Sequence, residues 1–235
     1  EVPSTFLILR RRGCVFITGN TGKTKAAIDL AAFLYAQGKI DAVLVVAPTG
    51  IHENWDVPGE GVRRHLDPTL LKASYRMIWH SNRANSVASK KQYERLLAHK
   101  GGLRWLFMGY DTMITKNGFA AAYKFCETYR CLGILDEAAR IKNPQAVRTK
   151  ALMKLRPLMP YRRPMTGTPM AQRPFDVYAI VRWMEPAYWL ENGFGSFLAF
   201  KHHFGVWRKI KVNGGREVEV QAVNNEGRPV YKNLD

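Results

Sequence analysis

The sequence predicts an α/β fold in which helices cover both faces of a mostly parallel sheet. Over residues 1–186, short apolar runs alternate with segments of helix length. The runs are rich in Val, Ile, Leu and Phe and lack polar alternation, as expected for strands that are buried on both faces. Strand–helix alternation of this kind builds a three-layer sandwich of helix, sheet and helix.

Six runs have the character of buried strands, and four stretches between them are helical. The predicted strands cover residues 14–18, 42–47, 76–79, 105–108, 131–135 and 163–166. The predicted helices cover residues 23–37, 86–99, 118–129 and 174–183. Gly38 suits the C-terminal cap of the first helix, and Pro174 suits the first turn of the last.

The texture of the chain changes after Pro186. Residues 191–204 are rich in aromatic side chains, and residues 211–235 have the pattern of a polar hairpin. Gly214-Gly215 and Asn225-Glu226-Gly227 supply the turns. We therefore predict a main domain over residues 1–186 and a smaller appendage over residues 187–235.

Composition restricts the partners of the protein. The formal net charge is +17, from 36 Lys and Arg against 19 Asp and Glu, which favours nucleic acid over an anionic membrane or an acidic protein. The three cysteines have no metal-like or disulfide-framework spacing. Without an apolar run of membrane length or a signal peptide, we expect a soluble intracellular protein that does not contact a membrane.

A candidate phosphate-binding loop follows the first predicted strand. Its residues are Gly19, Asn20, Thr21, Gly22, Lys23 and Thr24, and a predicted helix begins there. Backbone N–H groups at such a helix start point at phosphates, a lysine reaches the β- and γ-phosphates, and a threonine hydroxyl binds Mg²⁺. The strict pattern has glycine where Ile17 stands. The alternative is an ordinary strand-to-helix turn with an exposed lysine.

A pair of carboxylates follows the fifth predicted strand. Asp136 and Glu137 come directly after the apolar run 131–135. The carboxyl ends of parallel strands line the ligand crevice, so Asp136 is a candidate ligand for Mg²⁺ and Glu137 a candidate base for the attacking water. The alternative is a solvated pair at a strand end.

Several boxes together resemble the Swi/Snf-like branch of the superfamily II ATPases. Residues 136–143 are similar to its Asp-Glu-x-His-Arg-Ile-Lys-Asn box, and residues 166–170 are similar to its third motif. Residues 47–49 with 54–55 resemble motif Ia, and residues 108–111 resemble motif Ib. Two positions depart from the pattern: Asn20 replaces a glycine, and Ala139 replaces a histidine that is thought to couple the nucleotide site to the interlobe cleft.

The resemblance implies the first RecA-like lobe of a P-loop ATPase that uses ATP and Mg²⁺. It implies a coupling role for Thr166, Gly167 and Thr168. It also implies a second RecA-like lobe, which in this family supplies an arginine finger and half of the DNA track. The appendage would lead towards that lobe.

A stretch whose charged residues are all basic follows the acidic pair. Residues 138–175 contain nine Lys or Arg and no Asp or Glu, whereas a solvated face usually mixes both signs. We predict a sequence-independent track for DNA phosphates, with Arg140, Lys142 and Arg163 as candidate contacts.

The sequence therefore predicts ATP hydrolysis coupled to movement along DNA.

 Movement along duplex DNA without strand separation is the preferred prediction, because the Arg-Ile-Lys-Asn tail and the Asn-Trp of motif Ia favour the Swi/Snf-like branch. Strand separation is one alternative. The other is a non-catalytic nucleic-acid-binding module with a degenerate ATP site, for which Asn20 and Ala139 would be signs of decay.

Overall fold

The computed structural model describes residues 15–16, 22–167, 173–212 and 216–234, with the backbone alone for residues 15 and 16. Its main sheet has the strand order β1-β6-β5-β2-β4-β3, and every neighbouring pair is parallel. The strands are β1 (Val15–Phe16), β2 (Ala42–Ala47), β3 (Tyr75–Trp79), β4 (Arg104–Gly109), β5 (Cys131–Leu135) and β6 (Tyr161–Thr166). The predicted α/β fold with a parallel sheet is confirmed.

Helices cover both faces of this sheet. They are α1 (Lys23–Ala36), α2 (Gly61–His65), α3 (Pro68–Ala73), α4 (Val87–Ala98), α5 (Lys116–Thr128), α6 (Val147–Leu155), α7 (Val177–Met184), α8 (Tyr188–Glu191) and α9 (Phe197–Phe204). The predicted helices correspond to α1, α4, α5 and α7, with ends shifted by a few residues. Within the described ranges, none of these helices combines the length and apolar character needed to cross a bilayer.

The core lies in two layers, one on each face of the sheet. Leu44 and Val46 of β2 point into the layer beneath α5, α6 and α7, whereas Val43 and Val45 point into the layer beneath α1 and α2. Because both sets are buried, the strand has no polar face to show in its sequence. Fully burying side chains of this size contributes about 1.5–3 kcal/mol each.

Five of the helices named above were not predicted from the sequence, and three of them, α2, α3 and α6, lie within residues 1–186. Helix α3 had a readable signal, since Asp67 accepts hydrogen bonds from the backbone N–H groups of Thr69 and Leu70 and Pro68 occupies the first helical position. Helices α2 and α6 are short and carry basic residues, so their apolar periodicity is weak.

The last part of the chain packs on the main domain through aromatic side chains. Phe175, in the turn before α7, and Tyr178 of α7 form a buried cluster with Phe200 of α9. The strands β7 (Trp207–Lys211) and β8 (Glu217–Gln221) then pair antiparallel, so the predicted hairpin begins earlier than expected. Its first turn lies outside the described residues, and its second is closed by the backbone hydrogen bond from Asn224 to Arg228 (2.9 Å).

Candidate functional site

The candidate phosphate loop enters helix α1 through a left-handed glycine. Gly22 has φ 85°, which suits a residue without a Cβ atom, and its carbonyl accepts the backbone N–H of Ala26 at 2.9 Å. Lys23 and Thr24 are the first residues of α1, and no acidic side chain stands in the first turn of the helix. This end of the helix therefore favours an anion. Gly19, Asn20 and Thr21 lie outside the described residues.

A cavity of about 550 Å³ opens beside the start of α1. Its charged side chains are more often basic than acidic, and its lining comes from α1, from the turn after β2, from α2 and from the end of β5. The side chains that matter most for chemistry are Lys23, Thr24, Asn54, Trp55, Arg64, His65 and Asp136. The structure thus brings Lys23, Thr24 and Asp136 to one cavity, as the sequence predicts. Arg64 and His65 were missed because α2 was missed.

Asp136 directly follows β5, and four hydrogen bonds fix its position. Its backbone N–H donates to the carbonyl of Val46 (2.8 Å), and its carbonyl accepts the hydroxyl of Tyr110 (2.9 Å). One carboxylate oxygen accepts the indole N–H of Trp55 (3.1 Å), and the other accepts the backbone N–H of Glu137 (3.0 Å). Burial raises the pKa of Asp136, while the bond from Trp55 and the charge of Lys23 oppose that rise.

Glu137 has a left-handed backbone, with φ 51° and ψ 56°. Such a conformation is strained for a residue with a long side chain and is found mainly where structure around it holds it in place. Its carboxylate oxygen Oε1 accepts the hydroxyl of Thr166 at 3.0 Å. The pairing register of β5 with β6, continued past the strand ends, puts these two residues opposite each other.

The segments that resemble motifs Ia and Ib meet at the same edge of the sheet. The hydroxyl of Thr49 donates to a carboxylate oxygen of Asp111 at 3.0 Å. Gly109 permits this approach, because a Cβ atom there would lie 2.7 Å from the Thr49 hydroxyl oxygen. Arg148 of α6 lies 3.8 Å from the other oxygen of Asp111.

The candidate DNA contacts have three different environments. Arg140 is exposed. Lys142 is half-buried and lies 3.5 Å from the carboxylate of Asp176. Arg163 is 1% exposed, because β6 begins at Tyr161 and takes this residue into the sheet. The prediction that Arg163 contacts DNA is therefore wrong for this structure.

Arg162, its neighbour on β6, is also buried, and it binds carbonyl oxygens of the protein itself. Its guanidinium donates to the carbonyls of Met184 (3.0 Å), Arg156 (3.0 Å) and Met159 (2.6 Å). The Met184 carbonyl belongs to the last turn of α7, where a cation is favourable. Two of the nine basic residues of this stretch, Arg162 and Arg163, are therefore buried in the protein.

Comparison with known proteins identifies the family. A family model described as the SNF2-related domain matches residues 13–221. The chain belongs to the SNF2-related domain family. The predicted Swi/Snf-like resemblance is confirmed. The matched region includes Asp136, Glu137 and Thr166.

Individual relatives agree with that membership. The Arabidopsis thaliana protein CHROMATIN REMODELING 25 is 25% identical over 199 residues, which are 82% of this chain and 20% of the relative. The Sulfolobus solfataricus SWI2/SNF2 ATPase core in complex with dsDNA superimposes with a TM-score of 0.59 at 19% identity. That match covers 86% of this chain and 36% of the solved one, and it confirms the RecA-like fold.

Proposed function

We propose that this chain is the ATP-binding lobe of a DNA-dependent ATPase that couples Mg-ATP hydrolysis to movement along duplex DNA. The observation that carries the proposal is the hydrogen bond between Thr166 and Glu137, directly beside Asp136. It joins the acidic pair to the segment that resembles the third motif. A bond in this place links a hydrolytic base to the element that would respond to DNA.

Lys23 and the start of α1 supply the phosphate-binding part of the proposal. Lys23 would contact the terminal phosphates, and the N–H groups of the first helical turn would bind phosphate oxygens. Magnesium fits the oxygen donors present, the hydroxyl of Thr24 and the carboxylate of Asp136, which line the same cavity. The carboxylate has acceptor capacity beyond the bonds from Trp55 and Glu137. When bound, the ion would neutralise charge on the phosphates.

Glu137 would orient the attacking water and accept its proton. Two features fix the carboxylate: the strained backbone at Glu137 and the hydroxyl of Thr166. A base held in place before the substrate arrives needs no reorganisation during the reaction. Thr166, with Gly167 beside it and Thr168 beyond the described residues, would therefore position the base.

Duplex DNA is the partner that the charge of the chain favours. The net charge is +17, and Arg140 is an exposed cation three residues beyond Glu137. The Sulfolobus core named above is in complex with dsDNA. We further propose that residues 187–235 lead towards a second RecA-like lobe, which would complete both the nucleotide site and the DNA track.

The test uses the full-length gene product. Glu137→Gln keeps the shape of the side chain and removes the base, so DNA-stimulated ATP turnover should fall about 100-fold or more while ATP binding persists. Lys23→Ala should abolish ATP binding, measured by calorimetry.

Glu219→Gln on the distant strand β8 is the matched control and should leave turnover unchanged. Wild-type turnover in Glu137→Gln would contradict the role of the base. No DNA-stimulated turnover by the wild type would favour the nucleic-acid-binding module without catalysis. Equal ATP affinity of Lys23→Ala and wild type would contradict the assignment of the phosphate loop.

A further inference from the structure

Three potential metal ligands, none of which lines the nucleotide cavity, lie together near the ends of β2 and β3. His52 and Glu53 begin the single helical turn His52–Trp55 that follows β2, and His80 directly follows β3. One ligand atom from each of the three lies within 4.8 Å of the other two. The grouping unites two chain segments that do not pair in the sheet.

His52 is the unusual member of the group. The residue is only 5% exposed, and neither ring nitrogen makes a hydrogen bond of ordinary geometry. Backbone groups of Pro48 and Trp79 lie near the ring and make weak, poorly aligned hydrogen bonds to it. A buried polar atom without a partner costs about 1–3 kcal/mol, so buried imidazoles normally find one. A metal ion would be a stronger partner for a ring nitrogen of His52 than these backbone groups.

Glu53 and His80 complete the geometry from the solvent side. The ring nitrogen Nδ1 of His80 lies 3.4 Å from the carboxylate oxygen Oε1 of Glu53. Ligand atoms about 2.0–2.1 Å from a tetrahedral zinc ion are about 3.3–3.4 Å apart, so this edge already has the required length. Both side chains are partly exposed, which leaves a path for an ion.

We propose that His52, Glu53 and His80 bind a divalent transition-metal ion of the zinc class. Two imidazoles and one carboxylate form a donor set suited to zinc, whereas Mg²⁺ prefers oxygen ligands throughout. Three protein ligands leave one tetrahedral position for water. The ion would fasten the turn that contains Trp55, the donor to Asp136, to the end of β3.

The experiment uses the full-length gene product, prepared without a histidine tag and stripped with a chelator. Excess Mg²⁺ occupies the nucleotide site while Zn²⁺ is titrated by calorimetry and Co²⁺ by visible absorption. Wild type should bind one ion per chain at this cluster. The Co²⁺ complex should show the visible absorption of tetrahedral Co²⁺. His80→Ala and Glu53→Gln should each weaken binding at least about tenfold, since even an outer-shell partner is worth about 10–100-fold.

The matched control is His202→Ala. His202 and Glu219 form another His–carboxylate pair, at 3.2 Å, but no third ligand joins them among the described residues. This variant should bind Zn²⁺ like wild type. The two test positions are partly exposed, so folding should survive their replacement, and thermal unfolding without metal checks this. Saturating Zn²⁺ should raise Tm in wild type and not in His80→Ala. Unchanged Zn²⁺ affinity in both variants, or no binding by wild type, would overturn the proposal.

Discussion

The two ends of strand β6 use buried polar groups in opposite ways. At the amino end, the guanidinium of Arg162 is surrounded by backbone carbonyls, which it satisfies. At the carboxyl end, the hydroxyl of Thr166 donates to Glu137, a strained residue next to the cavity lined by Asp136. The first network is closed in the sense that these bonds join only groups of the protein, whereas the second is open because it lies next to a cavity.

The difference shows what burial of a polar group means in this lobe. A closed network contributes to the stability of the fold, because removing one member leaves buried partners without water. An open network instead positions a group for chemistry, and its members are replaceable with a smaller loss of stability. Substitutions at the two ends should therefore change different measurements.

Replacing Arg162 should have the largest effect on stability. Arg162→Met keeps an unbranched side chain but removes the guanidinium. The carbonyls of Met184, Arg156 and Met159 then lose the hydrogen bonds that Arg162 donates to them. Hydrogen bonds from a charged group are worth about 1.5–3 kcal/mol each, so the free energy of unfolding should fall by about 3 kcal/mol or more. Urea denaturation measures it. Arg140→Met, at an exposed position, should change stability by about 0.5 kcal/mol or less; equal losses would contradict the comparison.

Replacing Thr166 should affect turnover more than stability. Thr166→Val keeps the shape and removes the hydroxyl that positions Glu137, so DNA-stimulated turnover should fall about tenfold, which corresponds to about 1.4 kcal/mol of activation free energy. Stability should fall by about 1–2 kcal/mol. Thr166→Ser, which retains a hydroxyl, should recover most of the turnover. A variant Thr166→Val with normal turnover would show that the bond is structural only.

The smallest expected effect concerns DNA. Arg140→Ala should flatten the log–log dependence of DNA affinity on salt by about 0.9, the amount for one lost phosphate contact on duplex DNA. Arg163→Met should leave this slope unchanged, since the residue is buried. Lys209→Ala, an exposed change on β7, is the control for nonspecific loss of charge. If Lys209→Ala flattens the slope as much as Arg140→Ala, Arg140 belongs to a general basic surface.

Sequence reasoning was accurate where residue order determines position. Asp136 follows an apolar strand, and parallel strands end at one edge, so its place in one cavity with Thr24 followed from the pattern. It failed where charge was taken as evidence of exposure. Arg163 was predicted to contact DNA at the start of the sixth strand, but β6 starts two residues earlier, at Tyr161, and Arg163 is buried.

Contacts between distant segments were beyond the sequence. Trp55 is buried in the core and also donates a hydrogen bond to Asp136, 81 residues further along the chain. Nothing local marks His52 and His80 as neighbours, since their contact depends on how β2 and β3 are arranged in the sheet. Such pairs follow from topology, which periodicity alone does not determine.

The bond from Trp55 to Asp136 gives the nucleotide site an optical reporter of its own. An indole whose N–H donates to a carboxylate emits according to that carboxylate's charge and position, and Asp136 is the residue that would bind magnesium. The chain has six tryptophans, and Trp105 and Trp183 are fully buried elsewhere in the core. The difference in fluorescence between wild type and Trp55→Phe would therefore follow occupancy of the site in real time, without a labelled nucleotide.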